Sequence, residues 1–178
     1  MGALGWRGEG SQTRRFEVIA GAADFTGASV LDLGCGYGDL CGFLNERFAD
    51  FAYIGLDQMP EFVGRAREMY GGRAKTWFHE CDFSTVALPC VDYVVASGAL
   101  NYRCDAPGYH EEVIRRMYAA AGRALVFNVL DADMFPDHPL LIGHDVEAVV
   151  AVCRELSQQT RVVRGYADDD ATICVYRV

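Results

Sequence analysis

Lysine is almost missing from this chain: Lys75 is the one lysine among 16 basic residues, which face 25 acidic ones. The resulting formal charge of −9 disfavours nucleic acid and anionic membrane as partners, since both attract basic surfaces. No continuous apolar run is long enough to span a bilayer, although 51% of the residues are hydrophobic. The start is polar and glycine-rich rather than charged and then apolar, so a cytoplasmic protein is expected. Proline is scarce, and no linker, internal repeat or low-complexity tract divides the 178 residues. One domain over 1–178 is therefore expected. Cysteine is not scarce, but the seven cysteines form no C-x-x-C and no histidine pair has zinc spacing. That pattern fits free thiols in a reducing compartment and points to no metal.

What is present is concentrated between Val30 and Leu40. Val30 to Leu33 read as a short buried parallel strand. Gly34, Gly36 and Gly38 then mark a tight turn, and Leu40, Phe43 and Leu44 recur at helical spacing. In open α/β sheets ligands bind at such a turn, at the carboxyl end of a strand. A dinucleotide site wants G-x-G-x-x-G, with its pyrophosphate on the helix N-terminus. Here the third glycine comes one position early, and Asp39 stands where that fingerprint needs Gly or Ala. A carboxylate there repels a pyrophosphate but suits a helix start that faces none.

Further along, Ala52 to Asp57 reads as a second buried strand ending in an acid, whose carboxylate can accept both hydroxyls of a ribose. Lys75 to Cys81 reads as a third strand, with His79 expected to be packed, and is followed by Asp82 and Phe83. The nearly continuous Val91 to Ala96 is a central fourth strand leading into Ser97-Gly98-Ala99-Leu100-Asn101-Tyr102. A helix from Glu111 precedes the fifth strand, Ala124 to Val129, which contains Asn128. Asp145 caps a helix to about Leu156, and Arg161–Arg164 pairs with Thr172–Tyr176 as a hairpin across an acidic turn from Ala167 to Asp170. Before the glycine turn, Ser11 is expected to cap a helix to about Ala22.

The pattern of Asp32, Gly34, Gly36 and Gly38 resembles motif I of class I S-adenosylmethionine-dependent methyltransferases. The resemblance runs from about Val30 to Val178, most nearly to small stand-alone members. It implies a doubly wound α/β fold: a mostly parallel seven-stranded sheet of order 3-2-1-4-5-7-6, last strand antiparallel, with helices on both faces. Residues 1–23 would form an N-terminal flap and cap helix, and 29–178 the Rossmann-like core. The cofactor would be S-adenosyl-L-methionine, leaving as S-adenosyl-L-homocysteine. The resemblance places it against Asp32, Gly34, Cys35, Gly36, Gly38, Asp57, Gln58 and Ser97. Asp82 would accept from the adenine amino group, Phe83 would lie on the ring, and Arg15 would sit near the methionine carboxylate. The loop after the fourth strand lacks the N-P-P-Y of nucleic-acid and glutamine N-methyltransferases. Ser97, and Asn128 without a preceding Asp, likewise leave the metal site of catechol-type enzymes unsupported.

The expected reaction is therefore methyl transfer to an N, O or C nucleophile of a small-molecule acceptor. Trp6, Arg7, Asn101, Tyr102 and Asn128 are its candidate contacts, with Trp6 on a flap over the pocket. A carboxylate or neutral amine nucleophile needs no base; for a phenol or alcohol the candidates are Tyr102, Asp131, His110 and His138. Two other readings stay open: a cofactor-binding regulator without turnover and a nicotinamide-dependent oxidoreductase. Nothing in the sequence sets an oligomeric state.

Overall fold

A computed structural model describes residues 9–178. Its centre is a seven-stranded sheet of order β3-β2-β1-β4-β5-β7-β6. The strands are β1 (Ser29–Leu33), β2 (Ala52–Asp57), β3 (Thr76–Glu80), β4 (Val91–Ala96), β5 (Ala121–Leu130), β6 (Thr160–Val163) and β7 (Asp170–Tyr176). The first five pair in parallel, while β7 runs antiparallel to both β5 and β6. This is the expected strand order. Among the described residues, helix α1 (Glu9–Ala20) precedes the sheet, and helices α2 (Asp39–Asn45), α3 (Pro60–Tyr70), α4 (Tyr109–Ala120) and α5 (Val146–Leu156) connect its strands. None of these is long and apolar enough to cross a membrane.

Strand alternation divides β1 between the two faces of the sheet. Leu31 and Leu33 enter a core with Met117, Phe127 and Ile173, under α4 and α5. Val30 enters a second core with Ile19, Phe25, Leu44, Tyr53 and Phe78, under α1, α2 and α3. Each such side chain taken fully from water contributes about 1.5–3 kcal/mol, so burial on both faces fixes the register of the central strands. That register aligns Asp32 with Gly55 and Leu33 with Leu56, so β1 and β2 end side by side.

Local expectations shift where a strand or helix is decided by its neighbours. α1 already begins at Glu9, which places Ser11 inside its first turn rather than at its cap. β5 is longer than its apolar run because it pairs with β4 from Val91↔Ala121 onward. His79 is exposed, not packed, because β3 is an edge strand whose inner face is made by Thr76 and Phe78. Asp145 does cap α5, accepting from the Ala148 N–H at 3.1 Å. Trp6 and Arg7, the expected flap residues, lie outside the described residues.

Candidate functional site

A cavity of about 430 Å³ opens at the carboxyl ends of the parallel strands. Gly34, from the turn after β1, forms part of its floor. The turn is locked to β2 by the Gly34 and Cys35 N–H groups, which both donate to the Leu56 carbonyl, at 2.8 and 3.0 Å. Gly34 has φ +72°, and a Cβ there would lie 2.6 Å from the Ala99 Cβ. Only glycine meets both demands.

Beside it, Asp57 ends β2 and lines the cavity. Its Oδ2 accepts from the Gly36 N–H and its Oδ1 from the Met59 N–H, both at 2.9 Å. An ionised carboxylate offers about four lone-pair sites, so two backbone bonds fix the group and leave acceptor capacity. Asp82 and Phe83 line the next stretch of wall, and the Asp82 Oδ1 is held by the N–H and hydroxyl of Ser84, at 2.9 and 2.6 Å. Gln58, Met59 and Phe62 continue it from the start of α3, while Ser97 and Gly98 come from the end of β4. The Ser97 Oγ is buried without a hydrogen-bond partner. A buried hydroxyl on a cavity wall is costly unless a ligand satisfies it.

Four of the expected cofactor residues do not line the cavity. Asp32 points to the opposite face from Leu31 and Leu33, where the Tyr53 hydroxyl donates to its Oδ2. Burial, reinforced by the Asp57 charge, raises its carboxyl to about 7 despite that bond. Cys35 packs in the core, where burial pushes its thiol far up. Gly36 acts through the N–H that holds Asp57. Gly38 starts α2 in a left-handed conformation, packed close to Phe78 and Tyr70.

Arg15 reaches the cavity from α1, although a surface arginine is the commoner fate of that residue type. It is 5% exposed and paired through its Nε with Asp170, the first residue of β7. Asp170, expected in the acidic turn between the hairpin strands, is thus a buried partner. Burial raises its carboxyl while Arg15 and the hydrogen bonds from Asn128 and Tyr166 oppose the rise. Asn128, expected as an acceptor contact, is fully buried and does not line the cavity. Its Nδ2 donates to Asp170 at 2.6 Å and its Oδ1 accepts from the Gly98 N–H at 2.7 Å. The three side chains tie the cap helix to the loop after β4.

Asn101 and Tyr102 do line the cavity. Asn101 is buried and spends its Oδ1 on the Leu130 N–H at 2.9 Å, so it braces the wall. Of the four candidate bases, Tyr102 and His138 are on the wall and Asp131 and His110 are not. Asp131 is taken by Arg164 at 3.1 Å, and His110 stacks edge-on against His144 with ring centroids 4.7 Å apart. Burial, followed by the Asp57 charge, raises the Tyr102 phenol. The sequence reading missed Phe135, Pro136, Leu141, Tyr109 and Asp169 on the wall. They lie in loops or at element ends with no motif to mark them.

Residues 30–124 match the family model described as "Methyltransferase domain". A Mycobacterium tuberculosis protein described as a methyltransferase is 33% identical over 159 residues, 83% of this chain and 92% of that protein. The magnesium-protoporphyrin O-methyltransferase of Rhodobacter capsulatus is 32% identical over 134 residues, 71% of this chain; the match covers 56% of that longer enzyme. Among solved structures, the magnesium protoporphyrin IX methyltransferase of Synechocystis with bound S-adenosylhomocysteine superposes with a TM-score of 0.74. It is 18% identical, with 95% of this chain and 84% of that one covered. The chain belongs to the class I S-adenosylmethionine-dependent methyltransferases.

Proposed function

From that membership, we propose that one domain spanning the chain transfers a methyl group from S-adenosylmethionine to an N, O or C nucleophile of a small-molecule acceptor. The observation that carries the cofactor reading is the doubly held Asp57 carboxylate beside the Gly34 turn. It is positioned for a ribose, with Asp82 and Phe83 next to it for a purine and the unsatisfied Ser97 hydroxyl on the same wall. When bound, the cofactor supplies an electrophilic methyl on a sulfonium, so the protein's work is alignment and exclusion of water.

A small acceptor is favoured by the acidic net charge, by the cavity's size, which is that of a small-molecule site, and by a relative named for a porphyrin. The nicotinamide alternative is disfavoured by Asp39, whose carboxylate stands at the start of α2 and accepts from Gln12 at 3.2 Å. Titration calorimetry tests the reading. S-adenosylmethionine and S-adenosylhomocysteine should both saturate the folded protein, and Gly34→Ala should abolish the heat. Absence of saturation with either, or binding of reduced nicotinamide instead, overturns it. Robust methylation of bulk RNA or DNA would overturn the small acceptor.

A further inference from the structure

The segment from Asp131 to Gly143 supplies Phe135, Pro136, His138 and Leu141 to the cavity wall. His138 is the one imidazole on that wall among the described residues, and its hydrogen bonds settle what it can do. Its Nδ1 accepts the backbone N–H groups of Leu140 and Leu141, both at 3.2 Å. A neutral ring with an accepting Nδ1 carries its proton on Nε2. Nδ1 is thus occupied and Nε2 is a donor, so the ring has no nitrogen with which to take a proton from an acceptor. Tyr102 cannot substitute, because a phenol is protonated at neutral pH and can donate to the acceptor. Asp169 lines the wall too and is the carboxylate that a phenol or alcohol acceptor would need as base, so the test sets each acid beside its alcohol.

On the side of the wall made by Tyr102 and the 131–143 segment, away from the Asp57 and Asp82 carboxylates, the polar groups are the His138 and Tyr102 donors, and they suit a nucleophile that arrives without a proton to lose. A neutral amine fits badly, since a donor on its lone pair blocks the pair that must attack. A carboxylate has lone pairs for both. Resting on the methyltransferase reading, we infer that the acceptor is a carboxylic acid with an apolar body. Its carboxylate seats on His138 Nε2–H, and its body lies against Phe135, Pro136 and Leu141. The carboxylate oxygen forms the new bond to the methyl carbon as the carbon–sulfur bond breaks. The electron pair of that bond stays on sulfur, no proton moves, and the product is a methyl ester. His138 is a positioning residue.

The test uses protein saturated with S-adenosylhomocysteine. 3-Phenylpropionate, octanoate and indole-3-acetate are each titrated beside the alcohol and the amine of the same skeleton. At least one acid should bind about tenfold or more tighter than its alcohol, the scale of one hydrogen bond to a charged group. His138→Asn keeps an acceptor for the Leu140 and Leu141 N–H groups but has no donor at the Nε2 position. It should lose the preference for the acid with cofactor affinity and melting temperature unchanged, while His138→Gln, whose amide N–H reaches further, should restore part of it. The inference is overturned if no acid binds, if alcohol or amine binds as well, or if the preference survives in His138→Asn. Failure of S-adenosylhomocysteine to bind would sink the methyltransferase reading itself.

Discussion

The two sides of the cavity are held together by different means. The cofactor side is set by backbone: the Gly34 turn clasps β2 through main-chain bonds, and Asp57 is fixed by two N–H groups within its own neighbourhood of the sheet. The part of the wall near α1 and β7 is set by side chains from distant parts of the chain, above all the Arg15–Asp170 pair across 155 residues. A site made by strand ends and turns tolerates change in everything but a few positions. A site made by side-chain pairs fails when either partner goes.

The sharpest way to break that contrast is Arg15→Met. It strands a buried carboxylate at Asp170, and removing one partner of a buried pair costs about 3–5 kcal/mol. Urea unfolding should show that loss, and adding Asp170→Leu should return most of it. A cost below about 1 kcal/mol would mean that α1 is not latched by this pair.

Asp32 offers the counterpart on the cofactor side. Its carboxyl is raised from 3.8 to about 7, so the folded protein holds that proton more tightly than the unfolded chain. Stability from this group is therefore fully present at low pH. It falls as pH rises from about 4 to about 7 and is level above, a swing of about 4 kcal/mol at most. Asp170 is raised as well, so the effect must be read as a difference. The gap between wild type and Asp32→Asn should shift in favour of the variant between pH 5 and pH 8, and a constant gap would refute the burial argument.

The same contrast explains what is legible in the sequence alone. Gly34, Asp57, Asp82 and Phe83 each lie at or just past the end of a strand, so strand periodicity places them at the carboxyl edge and residue type says the rest. Asp32 belongs to the same motif, but one step of strand alternation turns its side chain to the other face, against Tyr53. Asp170 was misread for a different reason. In sequence it is the last of three successive aspartates after a glycine and a tyrosine, and only pairing of β7 with β5 carries it inside. Asn128 was rightly near the strand end, yet its amide is consumed by Gly98 and Asp170. His138 had no local signature at all. Its tautomer depends on two N–H groups that a turn happens to aim at it.

Asp57→Ala should weaken binding and also cost stability, about 1–3 kcal/mol, because it leaves the buried Gly36 N–H without its acceptor. Losing hydrogen bonds to a charged acceptor weakens cofactor affinity by about 1.5–3 kcal/mol. Calorimetry with S-adenosylhomocysteine measures it directly, and a variant binding as tightly as wild type would remove Asp57 from the site.

The smallest expected effect is on Asp169, and its sign is informative. This residue lines the cavity just before β7, beside the space assigned to the proposed acid. Two carboxylates in a shared, partly wet cavity repel, and at an effective dielectric near that of a protein surface the cost is about 1 kcal/mol or less. Asp169→Asn keeps the volume and removes the charge. Octanoate should then bind a few-fold tighter to the protein saturated with S-adenosylhomocysteine, with cofactor affinity unchanged. Half-molar salt should shrink the gain, because screening already removes most of the repulsion in wild type. Tighter binding that ignores salt would point to a change of shape rather than charge. Unchanged binding of octanoate would mean that the acid sits away from Asp169.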